Sequence, residues 1–268
     1  MAKLDRKKRT MLRSKLIDDL IAAHSQNSMA ATSVKVGYSW TLVNGKYCGI
    51  AKTYGIPSQR KAFARDMGKL IGKETAELAE YAQSWDLVEA SIGCAAINSM
   101  VEPEMDGAEA NGDGIIFKKG AGTRVVVVGA FPFIDKLRSI ARELYVLELN
   151  QSLLDFKRGI VPETAADFVI PDCDLLVITG SAIVNKSMER LLSLARKGKA
   201  YTIILGPSTI FSRVMFDYGA DMLAGSVVLK PEAVMNKLSQ TGGIMLANAI
   251  KNGEIMFKVI SNNKEYSI

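Results

Sequence analysis

The spacing of apolar positions changes character along the chain. Near the start, Leu12, Leu16, Ile17, Leu20 and Ile21 recur at the three-and-four spacing of one helix face. Val34, Val36, Tyr38, Trp40 and Leu42 then alternate with Lys35, Gly37, Ser39, Thr41 and Val43, which predicts one strand with a single buried face. Asn44-Gly45 supplies a hairpin turn, because both residues tolerate positive φ, and a second strand over 46–52 returns antiparallel. From Glu74 to Val101 the period is helical, in two pieces that meet near Ser84-Trp85-Asp86, where Ser84 or Asp86 can cap the second helix.

Between Glu102 and Lys119 lies PEMDGAEANGDG, rich in glycine and acids, as expected of an exposed connection between packed units. Beyond it the apolar runs lose their alternation: 124–130, 144–149, 174–181, 201–207 and, less sharply, 223–230. Strands buried on both faces by flanking helices read this way. Helix-length segments separate them at 133–142, 164–170, 186–197, 210–218 and 232–240, so right-handed crossovers and a mainly parallel sheet are expected. The predicted class is α/β. An N-terminal α+β domain (helix, hairpin, helices) spans 1–105, a linker 106–122, and a Rossmann-like domain 123–268.

Composition fits this division. A chain of 268 residues accommodates two domains, and 48% hydrophobic with 23% charged residues predicts a packed core. No apolar run approaches the roughly 18 residues of a membrane span, and the basic start lacks the apolar stretch of a secretory signal, so a soluble cytoplasmic protein is expected. Cys48, Cys94 and Cys173 are too far apart for a CxxC-type zinc site, and they are odd in number, which argues against a disulfide framework. The formal charge of +6 is concentrated in Lys3, Arg6, Lys7, Lys8, Arg9 and Arg13. Beside an amphipathic helix these read as a solvated face, and without a recognised signature they do not predict nucleic-acid binding.

In open α/β sheets the ligand crevice lies outside the carboxyl ends of the strands. The residues there are the loop from Gly129 to Phe133, Glu148 with Asn150, the segment from Thr179 to Asn185, and Gly206 to Thr209. Small and hydroxyl residues before helices expose backbone N–H groups that favour an anion. A dinucleotide fingerprint is not present, since Ala130, Phe131, Pro132 and Phe133 follow Gly129 and would crowd a pyrophosphate. Glu148 ends the second strand, where an acid often binds a ribose, so a nucleoside-like ligand stays open. Gly198-Lys199-Ala200 is not a P-loop. Ser181 or Ser208 would need a base to act as a nucleophile, and the only histidine, His24, sits at the end of the first helix. Cys94 reads as a buried apolar residue, whereas oxygen ligands such as Glu89, Glu148 and Asp174 stay open. A metal carried by a bound chelator would need no protein thiol or imidazole.

The strand-end pieces VVVVGAFPFIDKLR (125–138), YVLELN (145–150), LLVITGSAIVNKSMERLL (175–192) and ILGPSTIFSRVMFDYGADMLAGSVV (204–228) resemble the heavy-metal chelation family. GYSWTLV (37–43) and ASIGCAAINSMV (90–101) resemble its companion domain. The resemblance implies an N-terminal domain like that of enolase, a Rossmann-like domain, and a site in the cleft between them. It implies a role in metal homeostasis through binding a heavy metal, a metal chelate or a similar polar molecule; whether a metal ion or a chelate is the cofactor stays open. Carried over by motif, the ligand-binding residues are Phe131, Pro132, Glu148, Thr179, Gly180, Ser181, Asn185, Gly206, Pro207, Ser208 and Thr209, joined by Thr41 and Asn98 from the first domain. Lys186-Ser187 stands where members commonly have Gly-Thr, Ile210 where proline is usual after the GPST motif, and Asn150 replaces a common proline.

The leading expectation is a binding or processing protein for a metal chelate. Two alternatives are an enzyme of transferase or lyase type using a nucleoside-like cofactor at the strand ends, and an interaction module recruiting a metal transport system or metalloenzyme through its basic first helix. No membrane insertion is expected, and a homo-oligomer is compatible with the sequence.

Overall fold

The computed structural model describes residues 12–54, 64–103 and 107–262. The basic cluster Lys3 to Arg9, on which recruitment of a partner would depend, lies outside them. Helix α1 (Lys15–His24) starts where the Ser14 hydroxyl accepts the Ile17 amide, and it buries Leu16, Ile17, Leu20 and Ile21.

The alternating stretch that follows forms two strands, not the single strand its period predicts. β1 (Ser33–Val36) and β2 (Trp40–Asn44) pair antiparallel, with Val36 opposite Thr41. Gly37 makes the reversal: its amide donates to the Trp40 carbonyl at 2.9 Å, and a Cβ there would lie 2.3 Å from the Leu238 side chain. A tight turn can preserve period two, so alternation does not register the break. β3 (Cys48–Lys52) returns after Asn44-Gly45 and completes the antiparallel sheet β1-β2-β3.

Helices α2 (Thr75–Ala79) and α3 (Leu87–Met100) occupy the predicted helical segment, and the Asp86 carboxylate accepts the Val88 and Glu89 amides to start α3. β3 approaches α3 so closely that a Cβ on Gly49 would stand 2.0 Å from the Ala95 carbonyl oxygen. The stretch read as an exposed connection contains helix α4 (Asp113–Gly120), anchored by the fully buried Ile116. Ile115 and Phe117 pack beside it, so three consecutive apolar residues dock the helix on the core.

The second sheet has seven strands in the order β10-β9-β8-β7-β4-β5-β6. Its chain order is β4 (Arg124–Val128), α5 (Ile134–Ile140), β5 (Glu143–Glu148), β6 (Ile160–Pro162), α6 (Ala166–Val169), β7 (Leu175–Thr179), α7 (Met188–Gly198), β8 (Tyr201–Leu205), α8 (Arg213–Asp217), β9 (Met222–Val228), α9 (Pro231–Thr241), α10 (Leu246–Lys251) and β10 (Ile255–Ser261). All neighbours run parallel except β10, which is antiparallel to β9. The chain moves outward from β4 through β5 and β6, then returns to place β7 on β4's other side. Loops after β4 and β7 therefore diverge, which opens a crevice at this switch point.

The two sheets share one interior. Leu16, Leu20, Ile92 and Ile97 belong to the same buried cluster as Leu176, Ile204 and Leu223. Among the described residues, no helix is long and apolar enough to cross a membrane.

Candidate functional site

A cleft of about 580 Å³ lies at the carboxyl ends of β4, β5, β7 and β8. Its parallel-sheet wall comprises Val128 to Phe131, Leu147 to Asn150, Thr179, Ser181, Asn185 and Gly206 to Ser208. Trp40, Lys52 and Tyr54 face it from the antiparallel sheet and the residues just after it. Its volume is that of a small-ligand site.

Three hydroxyls link the two walls. Thr179 Oγ1 accepts the Ser181 amide at 3.4 Å and lies 2.9 Å from Ser181 Oγ, which lies 2.8 Å from the Tyr54 phenol. Burial raises the Tyr54 pKa, the Ser181 bond offsets part of that rise, and the nearby Glu148 charge adds to it. The phenol therefore stays protonated and keeps a hydrogen to donate. A second link runs from the Lys52 amide, which donates to Ser208 Oγ at 2.8 Å.

Glu148 Oε1 accepts the Leu149 and Asn150 amides, each at 2.8 Å, so the carboxylate braces its own loop. Asn185 Oδ1 accepts the Ser187 amide at 3.0 Å and the Ser187 hydroxyl at 2.7 Å. Glu163, on the rim, is paired with Arg190 at 2.6 Å. Lys52 is half-buried with its ammonium 5.2 Å from the Trp40 ring centroid, and burial lowers its pKa. No acid among the described residues forms an ion pair with it.

The structure thus brings Phe131, Glu148, Thr179, Ser181, Asn185, Gly206, Pro207 and Ser208 to one cleft. Pro132, Gly180, Thr209, Thr41 and Asn98 stand off its wall. Pro132 is exposed. Thr209 Oγ1 donates to the Ala224 carbonyl at 3.1 Å. A Cβ on Gly180 would lie 2.5 Å from the Thr209 amide nitrogen, so Gly180 serves the close approach of two loops. Thr41 Oγ1 is 2.8 Å from Thr53 Oγ1, and the Asn98 side chain donates to the Ile50 carbonyl at 3.0 Å. His24 lies off the wall as well, with Nε2 2.8 Å from Ser212 Oγ.

Trp40, Lys52 and Tyr54 escaped the sequence reading. Their one signal is that Lys52 and Tyr54 follow the buried run of β3 two residues apart, on one side of an extended chain.

The donor set bears on metal binding. Cys48, Cys94 and Cys173 are all buried, and burial pushes each thiol up to about 12, so none offers a thiolate at neutral pH. Among the described residues, no three His, Cys, Asp or Glu side chains gather into a metal-holding group. These residues do not fit a resident metal held by side chains. In the loop after β4, Phe131 stacks on Phe133 with ring centroids 5.1 Å apart.

Comparison with known proteins agrees with the fold. An uncharacterized protein of Methanocaldococcus jannaschii is 25% identical over 223 residues, covering 80% of this chain and 84% of that protein. A solved protein of unknown function from Desulfitobacterium hafniense DCB-2 superposes with a TM-score of 0.78 at 24% identity, covering 92% of this chain and 98% of its own. Another, from Pyrococcus horikoshii, gives a TM-score of 0.74 at 22% identity, covering 94% and 100% respectively. Two family profiles, both described as putative heavy-metal chelation, match residues 17–101 and 114–256. The chain belongs to that heavy-metal chelation family, and the two matched segments supply the two walls of the cleft.

Proposed function

We propose that the cleft receives a small polar molecule that chelates a metal, and that the protein handles metal in this chelated form as part of metal homeostasis. The observation that carries this reading is the mismatch between the family's chemistry and the donor set. The cleft offers hydroxyls, an amide, an ammonium and one braced carboxylate, while the thiols are protonated and buried elsewhere. A chelator brings its own metal ligands and needs only recognition of its periphery, which this wall supplies. In this reading residues 1–105 and 123–268 act as two domains that close on the ligand from opposite sides.

Calorimetric titration of the full chain tests it, with nickel, copper and zinc salts compared with their citrate complexes. The citrate complexes should bind at one site per chain, and Asn185→Ala should weaken them at least 10-fold while leaving the far-UV spectrum intact. Stoichiometric binding of the bare ions, unaffected by Asn185→Ala, with no uptake of the complexes, would overturn the reading.

A further inference from the structure

Hydrogen-bond capacity around the cleft is unevenly spent. Ser208 Oγ is occupied as an acceptor by the Lys52 amide, and its own proton has no acceptor among the described residues. Asn185 is oriented by the two bonds that Ser187 donates to Oδ1, and its Nδ2 hydrogens are likewise without an acceptor among those residues. Thr179, Ser181 and Tyr54 carry three hydroxyl protons and only two links between them, so one proton is left over. Lys52 adds an ammonium with three donors, set over the face of Trp40 and without a carboxylate at ion-pair distance among the described residues. On the acceptor side, one Glu148 oxygen is spent on two backbone amides, which leaves the other for the cleft.

Among these side chains donors therefore outnumber acceptors; Lys52 is the one cation and Glu148 the one anion without an ion pair among the described lining residues, and the ammonium stands in a partly dehydrated place. We propose that Lys52 is the anion-receiving group of this cleft and that its ligand is a small oxyanion, with Ser208 and Asn185 donating to its oxygens. A carboxylate or a phosphate presents the same chemistry to the ammonium: negative charge with several lone pairs. Glu148 opposes a second negative group on its own side, so the ligand's charged end lies toward Lys52. This inference rests on the cleft being the ligand site, and it adds the ligand's charge and the residue that selects it.

The test uses Trp40 as reporter in the full chain carrying Trp85→Phe, since Trp85 is 61% exposed and outside the cleft. The probes are metal-free citrate, inorganic phosphate and, as a neutral polyol, glycerol. Citrate or phosphate should change Trp40 emission saturably and glycerol should not; the stronger anion identifies which oxyanion the site takes. Lys52→Gln should weaken that anion at least 10-fold, and Lys52→Arg should stay within about 3-fold, with both variants unfolding at the parent's urea midpoint. Equal binding by Lys52→Gln, or no response to either anion, overturns the inference even if metal citrate binds. Lys52-dependent binding of the bare anion without uptake of any metal complex would sustain it and sink the chelate reading instead.

Discussion

Lys186 has a φ of 66°, in the left-handed region that residues with a Cβ avoid, and its ammonium donates to the carbonyls of Ser84 and Val184. A glycine would suit the same backbone without the side-chain anchor. Lys186→Ala and Lys186→Gly both remove the ammonium, so their difference reports the backbone alone. The glycine variant should be more stable by about 1 kcal/mol in urea unfolding, as expected for relieving left-handed strain. Equal midpoints would mean the turn bears no strain. At this scale the parallel-sheet wall of the candidate cleft was legible: Glu148, Thr179, Ser181 and Ser208 line it because they stand at strand ends. Thr41 and Asn98 share the right segments, yet the Thr41 hydroxyl meets Thr53 and the Asn98 amide nitrogen donates to the Ile50 carbonyl. Such pairings depend on which backbone atoms come near, and sequence does not record that.

Helix α8 is stitched to α1 at both of its own ends. Tyr218 donates to Asp19 at 2.7 Å, and His24 meets Ser212, whose hydroxyl accepts the Val214 amide at 3.3 Å to start α8. Burial lowers the His24 pKa below the ordinary imidazole value near 6.5. The unfolded chain then takes up the proton more readily than the folded one. Its contribution to stability is therefore complete above about pH 6.5 and is lost as pH falls toward the depressed value. Urea midpoints between about pH 7 and pH 5 should fall less steeply in His24→Gln than in the parent. An unchanged slope would assign the loss to carboxylates. Among elements, the parallel strands were legible because burial on both faces forces continuous apolar runs. β6 was not, being three residues long and ending in Pro162, and β10 carries Lys258 in its middle. The reversal at Gly37 was hidden by a turn that keeps the alternation.

For the whole molecule, the shared interior governs how it comes apart. Cys48 and Cys94 belong to the first family segment and Cys173 to the second, and all three are buried. Since one apolar cluster reaches into both segments, the three thiols should become reactive toward an aromatic disulfide reagent in a single step along a urea gradient. Separate exposure of Cys173, tracked by peptide mass, would show that the segments unfold independently. The wall made by Trp40, Lys52 and Tyr54 belongs to this scale too. Those side chains reach the cleft only because the hairpin docks beside β9 through tertiary packing, and no local pattern announces it.

That common interior also bears on heredity. A gene encoding only the first segment would leave Leu16, Leu20, Ile92 and Ile97 without the neighbours that cover them, and one encoding only the second would bare Leu176 and Leu223. Either product would carry half a binding surface on a sticky face. The solved structures from Desulfitobacterium hafniense and Pyrococcus horikoshii, matched along 98% and 100% of their chains, superpose across both segments.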